Sequence, residues 1–596
     1  MARIEAKLTR RQLAQGVAGA LAAGTLAAAP ARALDAVDRR DTLIIEAWPP
    51  GPTYKNYNNI NPFAVGGDLR NHVVFVMEGL FFWNNLKSEH IPFLATGYAF
   101  NPDYTEATVN LRQGVTWADG KPFGADDVVA TFEMLRLNGD GKKDLFLATD
   151  VSAVLAKTEK IDDRTVLFRL KRRDPRFVLR NLTVKFNTGI FIMPAHVLAG
   201  VTDPASFTNF DLDKGFPIGT GPYRVVAAMP ERIVMDRRDD WWGAKPGVWT
   251  GAQASANYTD LPAPKRLITV PRGDQQQMAQ SLATDQIDWM VEAPVPLMKR
   301  LLAQYPAITT LTDRAPPWGY RDWWPTSIYC NFDSPVMQDR RVRQALRHAV
   351  NAQQIIDIFH EGAAEQSYTP YPDFAVLHPY LEDVAGVAKA AGVGSVDPKR
   401  AAALMQEAGF AKDGEGFWAK DGKRWQASLA SSSAVDAMAP IVVEQLRRQG
   451  FSISWGSRPD ILQIIYSGKS DLVMSGHAGS IFDPEDTMLL YHSKFYRPVG
   501  EITTRFHRWR NKRFDELTDQ VGTFPVNDPA LRPLVKAAFT EWVNDCVEIP
   551  IAQWYHRIPY NTTLWTGWPT LADPYQSPTV SYWTTMLVVH GLTKHA

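Results

Sequence analysis

The run Leu111–Leu135, LRQGVTWADGKPFGADDVVATFEML, constrains the fold more than any other stretch of the chain. It reads as strand, turn and helix in direct succession. Ala118-Asp119-Gly120 is a turn signal, because glycine supplies the positive φ that tight turns need. Pro122 cannot donate to a strand ladder, and a helix is expected from near Gly124. Asp126 and Asp127 fall in its first turn, where the positive end of the helix dipole favours acids. Val128, Phe132 and Leu135 share one helical face. The alternation recurs along the chain. Thr42–Ala47 is a short apolar strand, and Thr165–Leu170 alternates like a half-buried one. Arg341–His360 carries Val342, Leu346, Ala349 and Ile356 in helical register. Pro440–Gln449 is a helix with proline at its first position and Gly450 as its stop. Such a mixture is α/β, and it contains no internal repeat and no low-complexity linker.

Residues 1–33 read as an export address. Arg10-Arg11 precede an Ala- and Gly-rich stretch without charge from Gln12 to Ala31, and Ala31-Arg32-Ala33 is an A-x-A cleavage site. Paired arginines before a weak apolar run look like a twin-arginine signal, which exports folded proteins; a Sec signal or an N-terminal anchor is the alternative. Removing this segment takes away five basic residues and one acid, so the mature chain carries a net charge of −4. That balance argues against nucleic acid or an anionic membrane as partner. With 45% hydrophobic residues the chain can build more than one core. Cys330 and Cys546 are the only cysteines; two buried free thiols are favoured over a disulfide.

Five segments in order carry a resemblance: Leu111–Leu135; Ile218-Gly-Thr-Gly-Pro-Tyr-Arg-Val225; Asn331–Leu346 (NFDSPVMQDRRVRQAL); Asp397–Phe410 (DPKRAAALMQEAGF); and Ser470–Pro484 (SDLVMSGHAGSIFDP). They resemble the family 5 extracellular solute-binding proteins, the oligopeptide-, dipeptide- and nickel-binding components of ABC importers. The resemblance implies a two-lobed α/β clamshell whose first lobe is discontinuous. The chain would cross between lobes near Gly319-Tyr320-Arg321 and return near Tyr555-His556-Arg557. Lobe one is then 34–320 plus 556–596, and lobe two 321–555; two crossings permit rigid-body closure over a ligand. It further implies a periplasmic monomer without a cofactor, with a peptide or small-molecule ligand and ABC permease subunits as partners.

Motifs for catalysis fail on their spacing. Gly468-Lys469-Ser470 ends like a phosphate-binding loop, but Gln463 stands where the first glycine belongs. His360-Glu361 begins like a zinc-protease helix, but position 364 is Ala364. No G-x-S-x-G elbow occurs, and the histidines lack tight ligand spacing, so neither an enzyme nor a metal site is indicated. Aromatic content does stand out, with 19 tryptophans. For Trp241-Trp242 the resemblance implies a structural role, since the family carries an aromatic here in a turn. Trp318, Trp323 and Trp324 fall at the expected crossing, where clefts lie, and could stack on a ligand.

The late loop bears on the ligand. Peptide binders of the family place an aspartate three residues before its Asp-Pro, to receive the peptide's α-ammonium. Here Asp483-Pro484 is preceded at that spacing by Ser480, and the family's Gly-Trp is Gly476-His477. His477, Ser480 and Asp483 join the tryptophans as candidate ligand contacts; Asp483 as a turn former before Pro484 is the plainer reading. A neutral hydroxyl among tryptophans fits an oligosaccharide, as in the family's sugar-binding branch, or a modified peptide. An ordinary oligopeptide binder using another acid, and a metal or haem carrier, remain as alternatives.

Overall fold

In this computed structural model residues 34–65, 70–143, 145–580 and 582–595 are described; the export address at 1–33 lies outside them. Thr42–Pro50 starts the first sheet. It pairs in parallel with Arg266–Arg272, which is followed by the antiparallel strands Arg232–Arg237 and Tyr223–Met229. Leu43, Ile45 and Ala47 are buried, as the apolar run requires. The expected turn of Ile218–Val225 leads into this sheet. Gly219 passes so close to Val76 that a Cβ there would lie 1.7 Å from the Val76 carbonyl oxygen, so only glycine fits.

A second four-stranded sheet is antiparallel throughout, in the order Ala95–Phe100, Glu106–Leu111, Thr165–Leu170, Leu155–Asp162. The strand of the opening run ends at Leu111. Gly120, at φ 81°, closes the turn by donating its N–H to the Trp117 carbonyl. The helix runs Ala125–Leu137 from Gly124. Asp127 does more there than complement the dipole. Its carboxylate accepts from Gly124 N (2.9 Å), Trp117 Nε1 (3.1 Å) and Ala195 N (2.7 Å), tying turn, helix and a distant segment together. Trp241 and Trp242 are buried, and their indoles donate to the two oxygens of Glu78 at 3.1 and 2.8 Å.

The third major sheet comes from the second half of the chain. Its order is Ser452–Ser454, Gln426–Ser431, Leu472–Gly476, Thr326–Cys330, Glu548–Ala552. The first three are mutually parallel, and Thr326–Cys330 runs against both of its neighbours. Residues of Arg340–Ala349, Ala352–Phe359, Pro398–Glu407 and Ala439–Arg448 share a separate core with this sheet. Two expectations need correction. The segment 341–360 is two helices rather than one: Val350 is extended, and the Asn351 side chain caps the second by accepting from Gln354 N. Pro440 sits one position inside a helix that starts at Ala439. Cys330 and Cys546 are free and buried.

The largest core extends from Leu43 to Leu592 and takes in parts of 371–393 and 481–547. Both expected crossings are strands, and they pair with each other: Tyr320 lies opposite His556 and Arg321 opposite Tyr555. Gly319 allows this approach, since a Cβ there would fall 1.8 Å from the His556 carbonyl oxygen.

Candidate functional site

The paired strands Tyr320–Arg321 and Tyr555–His556 hold a buried polar cluster. Asp322 donates its N–H to the Trp554 carbonyl (2.9 Å), and its carboxylate meets His556 Nε2 at 3.1 Å and the Tyr582 hydroxyl. Burial favours the neutral His556 ring, but Asp322 and Glu292 outweigh it and raise the pKa. Glu292 stands 4.0 Å from His556 Nδ1 and 3.9 Å from Arg272, whose guanidinium lies over Trp48. Glu46, on the first strand, accepts from Val291 N at 2.8 Å, while its Oε1 has no hydrogen-bond partner. Burial pushes the Glu46 carboxyl up to about 7, despite the Val291 N–H and Arg272.

Aromatic rings from distant stretches of the chain pack together in the neighbouring core. Trp323 stacks face to face on Phe186, 4.6 Å between centroids and 5° between planes, and Tyr582 meets Phe186 edge-on. Trp83 meets Phe482 edge-on at 5.2 Å. Trp324 packs against Trp554 and covers Gly476, where a Cβ would strike its ring at 2.2 Å. The Trp323 carbonyl accepts from Gly479 N at 2.7 Å, so these two tryptophans meet the loop that carries His477, Ser480 and Asp483. Trp318 does not join them. It packs with Met290 and Met298 in a satellite core, its indole donating to the Arg314 carbonyl at 3.0 Å.

Within the loop Ser480 and Asp483 are fully engaged, whereas the Nδ1 of His477 has no hydrogen-bond partner. Ser480 is fully buried; its hydroxyl accepts from Thr487 N (2.9 Å) and its own N–H donates to the Thr487 hydroxyl (2.8 Å). His477 lies 3.4 Å from the Tyr491 hydroxyl, and burial pushes its pKa down to about 4, so the ring is neutral at pH 7. Asp483 is fully buried against Arg176, whose Nε donates to Asp483 Oδ2 at 2.6 Å and lies 2.7 Å from Glu485 Oε2. Arg180 reaches Glu485 at 2.9 Å and Asp486 at 2.7 Å. Lys185 Nζ donates to the carbonyls of Leu179 (2.8 Å) and Arg180 (2.9 Å), and burial pushes its pKa down to about 7. Burial likewise pushes the Glu485 carboxyl up, against the pull of Arg180 and Arg176.

Asp483, Glu485 and Asp486 are thus each paired with an arginine from a segment some three hundred residues earlier, Arg176 or Arg180. The sequence reading missed Arg176, Arg180, Lys185, Glu46 and Phe186. A signal existed for the bases: the stretch Lys171–Lys185 is densely basic, although its apolar residues made it look like ordinary chain. Among the described residues no group of three or more His, Cys, Asp and Glu side chains could hold a metal ion. No helix among them is long and apolar enough to cross a membrane.

The family model for bacterial extracellular solute-binding proteins, family 5, matches residues 89–496. The chain belongs to this family. The dipeptide-binding protein of Escherichia coli strain K12 is 26% identical over 454 residues, which is 72% of this chain and 75% of that protein. The oligopeptide-binding protein AppA of Bacillus subtilis strain 168 is 25% identical over 351 residues, 58% of this chain and 57% of that one. The periplasmic oligopeptide-binding protein of an ABC transporter from Thermotoga maritima superposes with a TM-score of 0.76 at 22% identity, covering 94% of this chain and 100% of its own. A mannohexaose-bound structure of that protein gives 0.70 at 22% identity, over 94% and 99%. The fold is the two-lobed α/β clamshell of periplasmic binding proteins. This family member is a periplasmic solute-binding component of an ABC importer.

Proposed function

We propose that this solute-binding protein captures an uncharged, ring-bearing solute, an oligosaccharide or a modified peptide, and delivers it to the permease subunits of an ABC importer. Lobe one would be 34–320 with 556–596 and lobe two 321–555, with the pair Tyr320–Arg321 and Tyr555–His556 as hinge and the seam above it as cleft. The protein would bind without catalysis, as a monomer, after twin-arginine export through Arg10-Arg11 and cleavage behind Ala33. Trp323, Trp324 and His477 would face the solute.

The loop's charge state carries the reading. The position that receives an α-ammonium in peptide binders holds Ser480, whose hydroxyl caps Thr487, and the nearby acids are engaged by Arg176 and Arg180. An ammonium enclosed there would lie unpaired, at a cost of several kcal/mol. Each ~1.4 kcal/mol is tenfold in affinity, so the loss turns a scavenging site into a weak one. The mannohexaose complex of the Thermotoga maritima neighbour is in keeping with this. A second reading, an ordinary oligopeptide binder, has its own support in the peptide-binding relatives and in Glu46, a buried carboxyl with one oxygen unpartnered. Calorimetric titration with mannohexaose and with a pool of di- to pentapeptides separates them. Tight peptide binding by the wild type, unchanged in Ser480→Asp, would favour the second reading.

A further inference from the structure

We propose that Arg176 is a specificity-determining residue: by holding Asp483 and Glu485 it withholds the loop's carboxylates from a ligand ammonium, so the cleft selects against solutes with a free amine. This rests on the reading of the seam as the ligand cleft. Arg176 comes from the segment before the first crossing, and Asp483 and Glu485 from the segment after it. Their side chains are 1%, 0% and 8% exposed.

The network leaves little for a cationic ligand. Both Asp483 oxygens are engaged, Oδ2 by Arg176 and Oδ1 by Glu485 N at 3.2 Å. The guanidinium is held a third way, because its Nη1 donates to the Phe524 carbonyl at 2.9 Å. Arg180 occupies Asp486 and shares Glu485, and the Lys185 ammonium sits over the Phe482 ring at 5.2 Å. An incoming ammonium can reach these acids only by displacing a buried guanidinium, which would then lie without a counter-charge. A hydroxyl-bearing solute displaces nothing. Selection by a built-in penalty against the wrong ligand is how specificity is commonly sharpened. In sequence Ser480 removes the expected acid; in the structure Arg176 removes its two nearest substitutes.

The experiment uses the full mature chain as wild type, Arg176→Gln and Arg176→Gln/Asp483→Asn, titrated with trialanine, N-acetyl-trialanine amide and mannohexaose. The double variant removes the pair together and leaves no new unpaired charge at Asp483, so it keeps the test alive where the single variant folds poorly. Wild type should show no preference for the free amine. Arg176→Gln should bind trialanine about tenfold more tightly than wild type, the equivalent of one new ammonium–carboxylate contact, and the double variant should lose that gain. Wild type that prefers trialanine to its acetylated form about tenfold or more overturns the inference. So does a folded Arg176→Gln variant with no gain for trialanine. If instead both folded variants bind every probe as wild type does, the network is remote from the solute and the cleft reading itself falls.

Discussion

Glu548→Gln isolates one buried carboxyl next to the candidate site. Glu548 lies on the strand Glu548–Ala552, 1% exposed, accepting from the Ser327 hydroxyl at 3.0 Å and the Tyr491 hydroxyl at 2.7 Å. Burial pushes its pKa from 4.5 to about 7, in spite of those two hydrogen bonds. The folded protein therefore holds a proton that the unfolded chain releases. The stabilisation is complete below pH ~4.5 and is lost as pH rises toward ~7. From 4.5 to about 7, at about 1.4 kcal/mol per pH unit, it amounts to about 3 kcal/mol. Glutamine keeps the shape, can accept from Tyr491 and donate to Ser327, and does not titrate in this range. Urea denaturation of both proteins from pH 4.5 to 8 should show Glu548→Gln gaining about 3 kcal/mol on wild type as pH rises. Glu46 and Glu78 are also pushed up to about 7, but both proteins carry them and their effects cancel in the difference. A difference constant with pH would refute the assignment.

Gly319→Ala places a methyl 1.8 Å from the His556 carbonyl oxygen, which is backbone and cannot turn aside. It should cost about 1–3 kcal/mol of stability, read as a lowered urea midpoint, and an unchanged midpoint would show that the crossings separate freely. Trp323→Ala removes the ring stacked on Phe186 at 4.6 Å. It should cost about 1–3 kcal/mol of solute affinity by calorimetry, and an affinity equal to wild type would remove Trp323 from the cleft.

Much of the architecture was legible because it is local. The turn at Gly120, the helix from Gly124 and the buried strand at Thr42 each follow from a few neighbouring residues. The segments at 320–321 and 555–556 were singled out through the family resemblance, and their pairing with each other is a contact that no local pattern encodes. The break at Val350 escaped because the apolar register continues across it. What ends the helix is the Asn351 cap, and the Gln445 side chain, 94 residues away in sequence, holds that position by its N–H and its carbonyl. Trp318 was misleading for a similar reason. Its proximity to Trp323 along the chain says nothing about side, and a left-handed backbone at φ 60° turns it into the satellite core.

The site shows a sharper limit of sequence reading. Residue type at 480 and 483 was plain, but availability was not: Ser480 is held by Thr487, seven residues on, and Asp483 by Arg176, more than three hundred residues away. A carboxylate in a sequence is a candidate cation receptor; the same carboxylate under a buried arginine is half of an ion pair. Such pairs roughly break even, since desolvation offsets much of the Coulomb attraction. The Arg176–Asp483 and Arg180–Asp486 pairs therefore contribute alignment of the two segments they join more than net energy. On the proposed reading of this region as the cleft, the favourable energy of closure would come from apolar contact, such as Trp323 on Phe186 and Trp83 on Phe482, and from the solute. A solute that brings ring faces and hydroxyls adds to that surface, whereas one that brings charge must first break a balanced pair. On the proposed reading, aromatic stacking and internal charge neutrality would favour the same ligand class, although the residues behind the two effects come from different stretches of the chain.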